Sequence, residues 1–206
     1  MVERLLQQFA REPVPGQVKT RLQTELSPEQ ACEVHSELVA FTAGRLLASQ
    51  LGPVELWVAG DRQAPLFLQC REAGVAAVEQ QPEGNLGQRM HHALSAGLAR
   101  AGRVCLVGSD CPFLDRSYLK EAFEQLEQHD LILGPALDGG YVLIGASRPL
   151  PMALFSGVSW GSDRVLEQSL ERADRCGLSY ALLSVQRDID RPQDLVFWEN
   201  LRAGEG

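Results

Sequence analysis

The residues best placed to do chemistry follow the first apolar run, Leu5, Leu6, Phe9 and Ala10, in the loop Arg11-Glu-Pro-Val-Pro-Gly-Gln-Val-Lys-Thr-Arg21-Leu22. Pro13 and Pro15 fix φ and remove N–H donors, which ends a strand, and Gly16 lets the backbone come close to a ligand. Arg11, Lys19 and Arg21 bring three cations to one place in a chain whose formal charge is -8. Basic residues in a glycine-containing loop straight after a first strand suggest a phosphate site; the blander reading is a solvated connector.

Carboxylates recur at the ends of later apolar runs. Arg103-Val-Cys-Leu-Val-Gly108 leads into Ser109-Asp110-Cys111-Pro112, the run at 130–134 leads into Asp138-Gly139-Gly140-Tyr141, and the last block reads Asp188-Ile189-Asp190-Arg191-Pro192. A carboxylate at the C-terminal end of a parallel strand faces the edge where open α/β sheets bind ligands, and its oxygens suit Mg²⁺ or Mn²⁺. Each has a plain alternative: Asp110 as a turn residue before Pro112, Asp138 in a turn needing positive φ, Asp188 and Asp190 as helix caps. Together, three acidic loops and one basic loop make a stronger hypothesis than any one alone. Asn85-Leu-Gly87-Gln-Arg89 reads as a polar turn entering a helix whose N–H groups, with Arg89, would face an anion. Trp160, in a glycine-rich turn, lines a pocket or packs as ordinary core.

These loops need a scaffold, and the pattern supplies one. Apolar runs at 5–10, 54–59, 75–79, 103–108, 130–134, 140–146 and 180–186 alternate with helical periodicity. That alternation predicts a mostly parallel sheet flanked by helices. The clearest helix opens at Ser27-Pro28-Glu29-Gln30, a capping box with proline at the first helical position, and others are expected over 86–100, 115–128, 162–176 and 192–202, the last capped by Asp190 or Arg191. The tail from Ala203 to Gly206 is expected to fray. One domain over 1–206 follows from the length and from the lack of any linker or repeat.

Composition narrows the class. A pI near 5.0 argues against a general nucleic-acid binder. No run approaches the roughly 20 apolar residues of a membrane span, and no leader is evident, so the cytoplasm is the expected compartment. The cysteines, Cys32, Cys70, Cys105, Cys111 and Cys176, are scattered without Cys-x-x-Cys, which points to buried thiols; Cys111 has no histidine near it in sequence to make it a nucleophile. Adjacent His91 and His92 point about 100° apart on a helix and share no metal face. Gly16-Gln-Val-Lys19-Thr20 lacks the first glycine of a P-loop, and neither G-x-G-x-x-G nor G-x-S-x-G occurs, which speaks against an ATPase, a dehydrogenase and an α/β-hydrolase.

Six blocks in order, FAREPVPGQVKTRL (9–22), NLGQRM (85–90), GSDCPFL (108–114), GPALDGGYVLIG (134–145), LFSGVSW (154–160) and DIDRPQDL (188–195), resemble the bacterial nucleotide-diphospho-sugar transferase-like family of the selenodomain-associated glycosyltransferase type. The resemblance implies a glycosyltransferase-A (GT-A) fold, a Rossmann-like α/β/α sandwich with a mostly parallel mixed sheet. It also implies a small partner, a nucleotide or nucleotide sugar, with room for a homo-oligomer. On that likeness Arg11, Gly16, Lys19, Arg21, Asn85, Gly87 and Arg89 bind the nucleotide and its phosphates, and Asp110 and Asp190 hold Mg²⁺ or Mn²⁺. Asp138 acts at the sugar or acceptor beside the catalytic cations Lys19 and Arg21, and Gly139, Gly140, Tyr141 and Trp160 wall the acceptor pocket. The chain departs from the family pattern at Asn85, where Asp is common, at Gly161-Ser162, where Ser-Thr is common, and at Arg191, where Thr is common. The activity that the resemblance implies is a metal-dependent transfer from a nucleotide-activated donor, a nucleotide sugar, with nucleotidyl transfer and non-catalytic nucleotide binding as alternatives.

Overall fold

The computed structural model describes residues 2–204. Its strands are β1 (Val2–Arg11), β2 (Val54–Ala59), β3 (Ala77–Gln80), β4 (Ala101–Val107), β5 (Leu131–Pro135), β6 (Tyr141–Ala146) and β7 (Tyr180–Leu182). The helices are α1 (Pro28–Ser49), α2 (Pro65–Glu72), α3 (Leu86–Leu98), α4 (Arg116–Gln125), α5 (Val165–Arg175) and α6 (Leu195–Gly204). Short 3-10 turns cover Thr20–Thr24, Met152–Phe155 and Pro192–Asp194. Of the tail expected to fray, Ala203 and Gly204 finish α6, while Glu205 and Gly206 lie outside the described residues.

The seven strands form one sheet in the order β3-β2-β1-β4-β6-β5-β7. All pairings are parallel except those of β6, which runs antiparallel to both β4 and β5. The chain steps outward from β1 to β2 and β3, then returns to place β4 on the other side of β1. That reversal opens a crevice at the C-terminal ends of β1 and β4, where ligands bind in open α/β sheets.

Strand β1 is buried on both faces, and its side chains alternate. Leu6 and Ala10 face α1, α2 and α4, packing with Val39, Phe67, Leu119 and Phe123, while Leu5 faces α3 and α5 among Met90, Leu94 and Ala173. The product is a three-layer α/β/α sandwich. Two glutamines interrupt this apolar strand, each 0% exposed and each donating through its amide nitrogen while its buried Oε1 has no hydrogen-bond partner. Gln7 Nε2 donates to the Ala93 carbonyl at 2.9 Å on one face, and Gln8 Nε2 to the Val39 carbonyl at 3.0 Å and Ser109 Oγ at 2.8 Å on the other. Ser109 Oγ in turn donates to the Phe9 carbonyl at 2.7 Å, which ties the end of β1 to the loop after β4.

Local sequence accounts for most boundaries. Ser27 and Gln30 form the expected capping box of α1, and Asn85 and Gln88 form another at α3. The helix α2 was not anticipated: Pro65 at its first position is a proper start signal, but eight residues burying Leu66, Phe67 and Cys70 are too few to show a period. The last helix begins at Leu195 rather than 192, because Pro192–Asp194 first winds as a 3-10 turn; Arg191, one of the two expected caps, is the N-cap residue of that turn, with Pro192 at its first position. Asp194 Oδ2 accepts from the backbone N–H groups of Asp190 and Arg191, at 3.2 and 2.9 Å. Strand β7 stops at Leu182, although Leu183 and Gln186 still donate to the carbonyls of Leu133 and Pro135.

Helix α1 carries a second apolar stripe, which α6 covers. Trp198 is 2% exposed and meets Phe41 edge-on with centroids 5.0 Å apart, and Leu38 and Ile189 complete the cluster. This small core anchors the segment that brings Asp188 and Asp190 back to the sheet edge. Because Ser109 stitches β1 to β4, Ser109→Ala should take from the Gln8 amide one of its two acceptors and from the Phe9 carbonyl its hydroxyl donor, and lower unfolding free energy by about 1–3 kcal/mol. Urea denaturation checks it; an unchanged midpoint would show the stitch to be dispensable.

Candidate functional site

A cleft of about 630 Å³ opens at the predicted edge, with Arg11, Lys19, Arg21, Arg89, Asp110, Asp138, Gly140, Tyr141, Trp160 and Asp190 in its walls. Of the other residues singled out in the sequence, Gly16, Asn85, Gly87 and Gly139 support the walls without lining them.

The loop after β1 turns through Gly16 (φ 81°) into Lys19, whose backbone sits in the left-handed region (φ 48°, ψ 41°). A non-glycine residue held there is strained and persists only where its surroundings fix it. The fixing contacts are polar. Lys19 Nζ lies 2.6 Å from Asp110 Oδ1 and donates as well to the Ile189 carbonyl, and its side chain is 3% exposed against 52% for that of Asp110. Desolvation pushes the Asp110 carboxyl up, but the charge and hydrogen bond of Lys19, helped by the charges of His35 and Arg11, outweigh it and hold the group below its ordinary range. Lys19 therefore tethers three loops, and Asp110 stays ionised with much of its carboxylate open to the cleft.

Arg21 repeats the theme nearer the surface by pairing with Asp190. The hydrogen bond and charge of Asp190, against slight desolvation and with lesser pulls from Asp138 and Asp188, hold the guanidinium firmly in its charged form. The cations expected to hold phosphates and the carboxylates expected to hold a metal thus meet each other. Asp188, two residues before Asp190, is pushed up, first by desolvation and then by the negative charge of Asp138, with Asp190 and Asp110 adding to it.

The opposite wall is apolar. Trp160 and Tyr141 meet edge-on with centroids 6.4 Å apart, and Leu86 and Met90 of α3 stand beside them. Gly87 packs under Trp160: an added Cβ would lie 2.6 Å from the indole ring and 2.9 Å from Phe155. Asn85 caps α3, its Oδ1 accepting from the Gln88 N–H at 3.0 Å, and Arg89 Nε donates to the Gly84 carbonyl at 2.9 Å. Asp138 folds its own turn, accepting from the Gly140 N–H at 2.9 Å, and Gly139 at φ 87° approaches Asp163 so closely that a side chain there would collide with the Asp163 carbonyl. The Gly139 carbonyl accepts from Leu166 N–H at 2.9 Å, which pins the Asp138 turn to the start of α5.

Two lining residues escaped sequence reasoning. His35, 6% exposed on α1, places Nε2 at 2.9 Å from the Arg11 carbonyl, so Nε2 carries the hydrogen, and burial pulls its pKa down. Its only sequence signal was membership of the buried face of α1. Gln81, following β3, donates to the carbonyls of Ala10 and Trp57 at 3.2 and 2.9 Å. Nothing in its local pattern marks it. Cys111, by contrast, is an inert thiol, pushed up to about 12 by desolvation.

The donor chemistry fits a hard divalent cation, since Asp110, Asp138, Asp188 and Asp190 offer only oxygen and repel one another. Among the described residues, no three acidic, histidine or cysteine side chains converge closely enough to hold an ion by themselves. Mg²⁺ is commonly bound by one or two carboxylates plus substrate phosphates, and the cleft suits that arrangement.

A family model described as "Uncharacterized protein conserved in bacteria (DUF2064)" matches residues 42–162. The chain belongs to this family. The DUF2064 match takes in Asp110, Asp138 and Trp160 but neither Lys19 nor Asp190. No curated protein matches the chain. Among solved structures, a Desulfovibrio desulfuricans G20 protein provisionally named a nucleotide-diphospho-sugar transferase is 29% identical, covering 93% of this chain and 84% of that one with a TM-score of 0.81. The 4-diphosphocytidyl-2C-methyl-D-erythritol synthase of Anaerococcus prevotii DSM 20548 is 10% identical over 97% of this chain and 96% of that one, TM-score 0.64. The inositol-1-phosphate CTP transferase of T. maritima is 16% identical over 94% and 92%, TM-score 0.60. At such identity the last two share the fold. The expected Rossmann-like nucleotide-diphospho-sugar transferase architecture is thereby established for this DUF2064 member. No helix among the described residues is long and apolar enough to cross a membrane.

Asp188 supplies a pH test. Its folded-state pKa is raised, so its ionisation opposes folding once pH rises above the ordinary carboxylate range. Asp188→Asn should raise the melting temperature at pH 7, and the gain should fade as pH falls through that range; a gain independent of pH would assign the effect to something other than charge.

Proposed function

We propose that this chain is a transferase acting on a nucleotide-activated substrate in the presence of Mg²⁺ or Mn²⁺, with a nucleotide sugar as the donor. The observation that carries the reading is the two-sided cleft. Its Lys19–Asp110 and Arg21–Asp190 wall suits a polyphosphate with a divalent cation, and its Tyr141–Trp160 wall suits the group to be transferred or its acceptor. The likeness to the Desulfovibrio protein over 93% of the chain supports the sugar donor.

In this reading Arg21, Arg11 and Arg89 face the phosphates and neutralise charge that builds on the leaving group. Lys19 works largely through Asp110, whose position and ionisation it sets. Asp110 and Asp190 would hold the metal, which when bound supplies further charge neutralisation at the phosphates. Asp138, fixed by its own turn, stands at the boundary between the charged and aromatic walls and acts on the acceptor. A second reading, nucleotidyl transfer from a nucleoside triphosphate, is favoured by one feature: three cations on a single loop match a triphosphate better than the diphosphate of a sugar conjugate.

Thermal unfolding against nucleoside mono-, di- and triphosphates and nucleotide sugars, with Mg²⁺, Mn²⁺ or chelator, separates the two. A ligand at about 100 times its Kd adds roughly 2.7 kcal/mol of stability. Stabilisation by one nucleoside diphosphate and its sugar conjugate is expected, stabilisation by triphosphates alone would transfer the assignment to nucleotidyl transfer, and no response would remove both. Arg21→Ala should weaken binding of the effective ligand about tenfold, as loss of one charge-assisted hydrogen bond allows; calorimetry with an unchanged Kd would take Arg21 out of the phosphate site.

A further inference from the structure

The two ion pairs that line the cleft have a joint consequence for what the site accepts, and it rests on the reading just given. Lys19 neutralises Asp110 at 2.6 Å, and Arg21 is in hydrogen-bond contact with Asp190. A free divalent cation arriving alone must compete with a buried ammonium for Asp110. A free polyphosphate arriving alone must compete with a carboxylate for Arg21. Neither ligand by itself finds an unpaired counter-charge at these positions.

We propose that the site takes a preformed metal–polyphosphate complex by exchanging partners in its two ion pairs, and discriminates against metal and nucleotide offered separately. The incoming complex carries both signs of charge. Its cation replaces the ammonium at Asp110 and the guanidinium at Asp190, while its phosphate oxygens take up the released Arg21 and the freed donor of Lys19. When the complex is a divalent cation on the doubly charged diphosphate of a nucleotide sugar, charge is balanced before and after, so the exchange leaves no uncompensated ion in the cleft, which would be costly in a half-buried setting.

Three further observations agree. The carboxylates do not converge into a ready-made cage among the described residues, so the phosphates must complete the coordination. Both cations stand on the loop after β1 and both hold the loop before α6, about 170 residues away in sequence, Arg21 through Asp190 and Lys19 through the Ile189 carbonyl, while Lys19 also holds Asp110 after β4, so release of that one loop opens both pairs. Lys19 is held in a left-handed backbone conformation, which favours movement of its loop once its partners are taken.

The test is Mn²⁺ binding followed by electron paramagnetic resonance, and binding of ribonucleoside diphosphates, triphosphates and nucleotide sugars followed by calorimetry, in wild type and three variants. Wild-type protein should bind Mn²⁺ weakly without nucleotide, nucleotide weakly with chelator, and the two together tightly. Lys19→Met should raise Mn²⁺ affinity in the absence of nucleotide by roughly tenfold to a hundredfold, the range that releasing one charge-assisted hydrogen bond gives. Asp190→Asn, a nearly isosteric change at the surface, should raise nucleotide affinity in chelator by a similar factor. Lys19→Arg, which keeps the pair, should behave as wild type, and this guards against a loop simply disordered by Lys19→Met. Wild type that binds metal alone and nucleotide alone as tightly as the complex overturns the inference while leaving the proposed function intact. Variants that gain nothing overturn it likewise. Wild type that binds no nucleotide in any form overturns both.

Discussion

The ammonium of Lys19 is the contact on which the rest of the site depends. It is nearly inaccessible to water, yet it carries a full charge, so it must be surrounded by compensating oxygen. Asp110 and the Ile189 carbonyl supply it, and with them the loop after β1 becomes joined to the loops after β4 and β7. Remove the ammonium and the loop after β1 loses the side chain that holds both of the others. A buried pair of this kind contributes less to overall stability than to geometry, because the attraction is largely offset by the desolvation it requires.

Around that contact the fold arranges supports in layers. The β1–β4 junction is held by Gln8, Ser109 and the Phe9 carbonyl inside the sheet. Above it, His35 holds the Arg11 carbonyl from α1. On the far side, Trp198 against Phe41 seats α6 and so delivers Ile189 and Asp190. The Ile189 N–H also donates to the Asp110 carbonyl at 2.8 Å, so the two loops are bound through backbone as well as through Lys19. The aromatic wall is steadied separately, by Gly87 under Trp160 and by the Asp138 turn fastened to α5.

Much of this was legible in the sequence, for identifiable reasons. Strands buried on both faces leave largely apolar runs, and β1, β2, β4, β5 and β6 show them, β1 broken by Gln7 and Gln8 and β2 by Glu55; α1 and α3 begin at capping boxes that can be read by eye. The sites at strand ends followed from chain order alone. What stayed hidden was pairing across long sequence separations. Lys19 and Arg21 read as free cations, and Asp110 and Asp190 as free carboxylates, because nothing local records that each cation lies opposite a carboxylate far along the chain. Gly87 read as a residue beside a nucleotide, whereas Trp160 occupies the space over it. His35 and Gln81 were silent because a polar residue on a buried face announces itself only once the neighbouring backbone is in place, and α2 was too short to display a period.

The order of the strands also governs when the cleft exists during synthesis. β1, β2, β3 and β4 can pair as they emerge, since each is laid beside one already made. The Lys19–Asp110 pair can form once β4 and the loop after it are made, but the Arg21–Asp190 pair, the Lys19 bond to the Ile189 carbonyl and the small core that Trp198 forms on α1 all wait for the segment from Asp188 onward. A nascent chain therefore carries a largely formed sheet with an unfinished edge, its Arg21 unmatched, until α6 docks. The cleft is assembled in two stages, its Lys19–Asp110 side first and its Arg21–Asp190 side only with the arrival of α6.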